Sequence, residues 1–535
     1  MLTAEITSEL TTPLDEGERI SPHPTETRSL VRAFVPYLIF SLCVSLYFFP
    51  FMRLLLRGSD EGILVEGAVR TVHGQLLGRD FLEVVGPGTF YWLALFFKLF
   101  GVTFLASRVC LFVSSLGTAL SLYFLSRRVC GSYQLLPCIL IFATYFGTFW
   151  PEISHHVDSN CFALLAVVCM VLWRDLRKNW LLFAAGALTG ATTLILQPKG
   201  LLLLLAFFVW LWIQHRRALL SAVLWVSCGA FSAVAPILGY FWSRGALGDL
   251  IYINVLWPYH NYAPAATVHY AFLISDYFTH WVVPLNGTNW TLGMAAVLVI
   301  PFLFIAAVPL IVIALGLRHG IRNLRPEIAL YWLAGAALWL SEIHRKDICH
   351  LVFGSPLLIV LCVFYLQARK NQGFSVAIQA LSITSVCLAA ATLIIALVAH
   401  PTATRVGQVS MAADDPVLRA IDDHVAPGEE IFIYPYAPMY YFLSATNNPT
   451  RYSTFFYNFK INSHFEFDEV IQNLDQQRVK YVLWDSVVHD KLQSLFPGSG
   501  LKEHIIEPYL ESHYRPIWSH NGVLLMERKS GDHRH

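Results

Sequence analysis

Between Ala33 and Ala399 the chain is a succession of apolar runs separated by short polar breaks. Each run approaches the length an α-helix needs to cross roughly 30 Å of hydrocarbon. The pattern predicts spans near 33–52, 104–126, 134–150, 160–173, 180–197, 200–214, 218–242, 291–316, 328–341, 350–368 and 374–399, about eleven in all. The segment 87–100 is apolar too, but it is short, contains Lys98 and opens on Gly-Pro-Gly, so it reads as an interfacial or re-entrant helix. Beyond Ala399 the pattern changes. EIFIYPY (430–436), KYVLWD (480–485) and GVLLMER (522–528) read as strands, and FDEVIQNLDQQ from Phe467 reads as an amphipathic helix. The predicted architecture is an α-helical polytopic membrane protein with a small C-terminal α/β domain. Its parts are a disordered tail at 1–32, a membrane domain at 33–401 and the α/β domain at 402–535.

Composition agrees with that division. Hydrophobic residues make up 56% of the 535 residues and charged ones 14%, against roughly 25% charged in soluble domains. The net charge of +1 gives no basic footprint for nucleic acid. The balance hides an asymmetry: residues 402–535 carry 12 Lys and Arg against 17 Asp and Glu, and the rest of the chain 25 against 19.

Basic residues recur in alternate loops: Arg28 and Arg32, Arg127 and Arg128, Arg174, Arg177 and Lys178, Arg216 and Arg217, Arg318, Arg322 and Arg325, then Arg369 and Lys370. By the positive-inside rule these loops are cytoplasmic. The N-terminus is then inside and the C-terminal domain outside. The polar N-terminal segment has no signal-peptide pattern. The ten cysteines all lie between Cys43 and Cys387 and form no CxxC pair.

The chemistry-bearing residues fall in the opposite set of loops. Asp60 and Glu61 follow the first span. A carboxylate there could serve as general base or hold a divalent cation, and a solvated turn explains the pair equally well. SHHVDSN (154–160) offers His155, His156 and Asp158 at the end of a span, where a helix cap is the competing explanation. SEIHRKDICHLVFGSP (341–356) gathers Arg345, Lys346 and His350 on the side where cations are disfavoured, which suits a lipid phosphate, with snorkelling or an Arg345–Asp347 ion pair as the competing explanation. Lys199 and Arg108 are further cations at presumed outer helix ends. Tyr259, His260 and their aromatic neighbours suit either a sugar or lipid cleft or an interfacial belt.

The first outer loop supplies a family likeness. From SDEG through GQLLGRDF and GPGTFYW to FGVTFLASR it resembles the GT-C glycosyltransferases, in particular the bacterial group related to aminoarabinose lipid A transferases and protein mannosyltransferases. Gly74, Gly78, Arg79, Asp80, Phe81, Pro87, Tyr91, Trp92, Phe100, Gly101 and Arg108 fill the pattern. The resemblance implies transfer of a sugar from a polyprenyl-phosphate donor to a lipid, glycan or protein acceptor at the outer face of a bacterial cytoplasmic membrane, with inversion. It implies Asp60 as catalytic acid or base, with Glu61 and Asp158 beside it. Lys199, Arg345, Lys346 and His350 are then expected at the donor phosphate, and Arg79, Asp80, Tyr91, His156, Tyr259 and His260 along the sugar or acceptor cleft. A divalent cation (Mg or Mn), held by Asp60 and Glu61, is a candidate cofactor. One departure stands out: the lipid A transferases have Lys immediately before the Pro of the second loop helix, and here that position is Gly86. A transporter or flippase, and a surface-polysaccharide polymerase or ligase, are the alternatives.

Overall fold

The computed structural model describes residues 26–55, 59–141, 152–259, 307–343, 348–368, 372–455, 464–487 and 506–529. The membrane body is built from α1 (Glu26–Phe48), α2 (Ser59–Val72), α3 (Pro87–Phe100), α4 (Phe104–Val129), α5 (His155–Leu176), α6 (Asn179–Ile195), α7 (Gln197–Gln214) and α8 (Leu219–Ser243), followed by α9 (Pro326–Glu342), α10 (Ile348–Gly354), α11 (Pro356–Ala368) and α12 (Gln372–Val398). Among the described residues five helices are long and apolar enough to cross a membrane, including α4, α5 and α7. The expected spans at 134–150 and 291–316 fall largely outside the described residues, as do residues 1–25 of the expected tail. The first helix begins at Glu26 rather than near Ala33. The run at 350–368 is divided at Ser355, because Pro356 supplies no backbone N–H and favours a new helix start.

Small residues set the tightest helix contact. Gly186 and Gly190, four apart on α6, meet α8, where a Cβ at Gly186 would lie 2.0 Å from the Val226 carbonyl oxygen. Gly229 on α8 meets the Phe183 carbonyl at the same distance, so the two backbones touch directly. Helix α3 has 14 residues, about 21 Å at 1.5 Å per residue, and is too short to cross the hydrocarbon.

The C-terminal region begins immediately after α12 with a hairpin, β1 (His400–Thr404) and β2 (Gly407–Met411). A four-stranded sheet follows, in the order β3-β4-β6-β5, formed by β3 (Ile431–Tyr434), β4 (Tyr481–Asp485), β5 (Tyr514–His520) and β6 (Val523–Arg528). β3 and β4 are parallel and the other pairs antiparallel. In β3 Phe432 and Tyr434 enter one apolar cluster and Ile431 and Ile433 the other, so both faces are covered and the strand is apolar throughout. The strands expected at 430–436, 480–485 and 522–528, and the helix from Phe467 (His464–Gln476), are all present.

This region is bound to the segment between α1 and α3. Leu82 N–H donates to Arg451 O at 2.8 Å and Arg70 Nη2 to Thr450 O at 2.7 Å. The Leu55 N–H donates to Ser410 O at 2.9 Å, which ties the hairpin to the end of the first span.

Candidate active site

Asp60 opens α2, in a first turn that also carries Glu61. The two carboxylates have different surroundings. Asp60 Oδ1 accepts a hydrogen bond from the Tyr436 hydroxyl at 2.5 Å, on the loop that follows β3. Glu61 is fully buried and pairs with Arg108 through both carboxylate oxygens. Arg108 also donates from Nη2 to Leu54 O at 2.8 Å and lies 4.2 Å from the Phe104 ring centroid. Glu61 Oε1 further accepts from the Ile153 N–H at 3.1 Å, just ahead of α5. Glu61 is thus taken up by a structural ion pair, and Asp60 and Glu61 do not present two adjacent free carboxylates to a cation.

The Ile153 contact brings the start of α2 against the start of α5. Ser154 caps α5, accepting from His156 N–H at 3.3 Å. His156 follows in the first turn. Its Nδ1 lies 3.0 Å from Glu342 Oε1 at the end of α9, its ring stacks on Phe353 at 4.6 Å, and His350 of α10 meets it edge-on at 4.8 Å. Lys199 in the first turn of α7 is completely buried, and its Nζ contacts Glu342 Oε1 at 2.8 Å, Asn160 Oδ1 at 2.9 Å and Ser159 Oγ at 3.1 Å. Three protons on the ammonium match three acceptors. Glu342 Oε2, equally buried, has no hydrogen-bond partner among the described residues.

The centre of this group, Glu342, lies within the SEIHRKDICHLVFGSP segment, where the cations and not this carboxylate stand out in the sequence. One ligand atom each from His156, Glu342 and His350 lies within 4.8 Å of the others. Two imidazoles and a carboxylate are a donor set suited to a transition metal, with Lys199 competing for the same carboxylate.

Asp158 is separate from this group. Two residues along α5 from His156, it faces α4, where Oδ1 accepts from Ser114 Oγ at 2.6 Å. Trp92 Nε1 in turn donates to Ser114 Oγ at 3.1 Å. Arg79 and Asp80 engage each other at 2.9 Å, and Asp80 accepts from the Leu76 N–H at 2.8 Å. The Arg79 hydrogen bond holds the Asp80 carboxyl below its ordinary range. The pair folds the loop and ties it to α8 through Arg79 Nη1 and the Arg244 carbonyl at 3.1 Å. Tyr91 packs edge-on against Tyr240 and Phe241 of α8. Tyr259 is 77% exposed. His260, Arg345 and Lys346 lie outside the described residues.

Gly86 has a steric reason. A Cβ there would lie 2.2 Å from the Leu194 carbonyl oxygen and 2.7 Å from that of Ile195. The end of α6 occupies the space a side chain needs, and Lys199 enters only a few residues further along the chain.

Comparison with known proteins agrees with this architecture. Residues 84–240 match the sequence family described as dolichyl-phosphate-mannose-protein mannosyltransferase. No curated protein sequence matches the chain. Among solved structures, ArnT from Cupriavidus metallidurans, bound to undecaprenyl phosphate, superposes with a TM-score of 0.57 at 12% identity, over 95% of this chain and 99% of that one. The oligosaccharyltransferase AglB from Archaeoglobus fulgidus, in complex with an inhibitory peptide and a dolichol-phosphate, gives 0.53 at 13% identity, over 93% and 74%. The GT-C resemblance of the first outer loop is borne out: the chain has the GT-C fold, a helical membrane body with a small C-terminal sheet region.

Proposed function

We propose that the chain is a membrane glycosyltransferase that moves a sugar from a polyprenyl-phosphate donor to a lipid, glycan or protein acceptor. The reading places the reaction at the outer face of a bacterial cytoplasmic membrane. The observation that carries it is the convergence, at one end of the bundle, of the Asp60 carboxylate and the buried Lys199–Glu342–His156–His350 group. Arg345 and Lys346 belong to the same region by sequence, since residues 344–347 join Glu342 to α10.

In this reading the acceptor hydroxyl oxygen attacks the anomeric carbon and its proton passes to Asp60. The bond between that carbon and the phosphate oxygen breaks, and the electron pair leaves with the polyprenyl phosphate. A single displacement inverts the anomeric centre. His350, Arg345 and Lys346 stabilise the charge that develops on the phosphate, and Lys199, whose protons are already on protein acceptors, adds its positive charge from behind. Tyr436 orients Asp60, which gives the C-terminal domain a part in the site. A divalent cation, if the reaction uses one, is held by His156, Glu342 and His350.

The test is transfer of labelled sugar from purified polyprenyl-phosphate sugars to an envelope lipid extract. Asp60→Asn is expected to lower transfer by a factor of about 100 or more while the protein still inserts. Transfer at the wild-type rate by that variant overturns the assignment of the base.

A further inference from the structure

The opposite end of the bundle carries a second polar site. Helix α5, with His156 in its first turn, runs 22 residues, about 33 Å at 1.5 Å per residue, and ends at Arg177. Helix α7, with Lys199 in its first turn, ends at His215. Where these ends meet, a cavity of about 400 Å³ is lined by Arg177, Gln214, His215, Arg216 and Arg217.

The lining is cationic and has unused donors. Nearby acids are engaged elsewhere: Asp175 and Glu327 pair with Arg128 and Arg174. Among the described residues Arg177, Arg216 and Arg217 make no ion pair. Gln214 Nε2 and His215 Nε2 have no hydrogen-bond partner among the described residues. The His215 ring is held between Trp173 and Trp210 at 5.1 and 4.8 Å. Burial, then the neighbouring Arg177 and Arg174, holds its imidazole down at about 4. Arg177 adopts a left-handed conformation (φ 53°) that ends α5 with its guanidinium 5.2 Å from the Trp173 ring centroid.

We infer that this cavity binds a phosphoryl group, and that the group is the headgroup of an anionic phospholipid. Guanidinium forks match phosphate oxygens bidentately, and the Gln214 amide and His215 ring add neutral donors. The lipid source is favoured by the rim. Trp180, Trp212 and Leu220, each within three residues of a lining residue in the chain, are 63%, 47% and 76% exposed, an apolar and aromatic set of the kind that sits at the headgroup level. The loops that carry the cavity belong to the set read as cytoplasmic from their Lys and Arg content, where the leaflet is anionic. The cavity is open to the surface, as a site for a headgroup entering from the membrane must be.

The experiment is native mass spectrometry of the full chain in detergent, with phosphatidylglycerol or phosphatidylcholine added. Phosphatidylglycerol adducts are expected on the wild-type protein and phosphatidylcholine adducts are not. Replacing Arg177, Arg216 and Arg217 together by Gln is expected to lower adduct occupancy about tenfold or more. Arg216→Lys with Arg217→Lys keeps the charge, loses the fork and should bind at an intermediate level. Arg127→Gln, at the same end of the bundle but outside the cavity, should bind as wild type. Size-exclusion profiles confirm that each variant is folded. Equal loss in Arg127→Gln, equal binding of the two lipids, or displacement of the lipid by millimolar inorganic phosphate would each overturn the inference.

Discussion

Glu61 and Glu342 are two buried carboxylates at the same end of one bundle, and both are paired with a buried cation. They differ in how far the pairing goes. Glu61 receives both terminal nitrogens of Arg108 and a backbone N–H, and Arg108 is itself anchored on the Leu54 carbonyl. Glu342 receives Lys199 and His156 on one oxygen, and the other has no partner among the described residues. A fork that saturates a carboxylate fixes two helices in place. A point charge that leaves a lone pair open, beside a second histidine, leaves room for a ligand. The difference separates an ion pair that builds the site from one that works in it.

The strongest break in that comparison is Arg108→Met. Removing one partner of a buried pair leaves an uncompensated charge, and a loss of about 3–5 kcal/mol in stability is expected. Thermal unfolding of the detergent-solubilised protein measures it. A variant as stable as wild type would mean that Glu61 is hydrated and that the pair does not anchor the helices.

Glu342→Gln comes next. It preserves shape and one acceptor, so the stability change should stay below about 2 kcal/mol. Label transfer from the polyprenyl-phosphate sugar should fall by about 100-fold, because the charge that aligns Lys199 and His156 is gone. Lys199→Met should raise the donor concentration needed for half-maximal rate more than it lowers the maximal rate. Destabilisation matching that of Arg108→Met, with transfer unchanged, would make both ion pairs structural.

The sequence carried one of these pairs better than the other. Glu61 and Arg108 both fall in a local, motif-bearing stretch, so the loop was legible, although the motif could not tell that Glu61 and not Asp60 would meet Arg108. The membrane helices were legible because lipid demands long apolar runs, and the sheet strands because IFIY and YVLWD are buried on both faces. Glu342 was not legible. Its partners Lys199 and His156 are 143 and 186 residues away in the chain, and only helix packing brings them together. The same reason explains Asp158: adjacency to His156 in sequence suggested one site, and the 3.6-residue turn sent the two side chains to different neighbours. The Tyr436 contact was equally unreadable, since it depends on how the C-terminal domain docks.

Glu83 extends the comparison to a carboxylate that makes no ion pair among the described residues. It lies in the loop before α3, buried, and accepts a hydrogen bond from Ser453 of the C-terminal region. Burial is the largest influence on it, and with the nearby Glu66 it pushes the carboxyl up to about 8 from an ordinary 4.5. A group whose folded value is raised contributes stability that is full below about pH 4.5 and is lost as the pH rises through about 8. The contact between the loop before α3 and the C-terminal region should therefore weaken between those limits, by on the order of a few kcal/mol. Glu83→Gln fixes the neutral state, so its unfolding temperature should change less with pH than that of the wild type. Identical pH profiles for the two proteins would show that Glu83 ionises within its contact and that the domain tolerates the charge, as the Glu61 site does through Arg108.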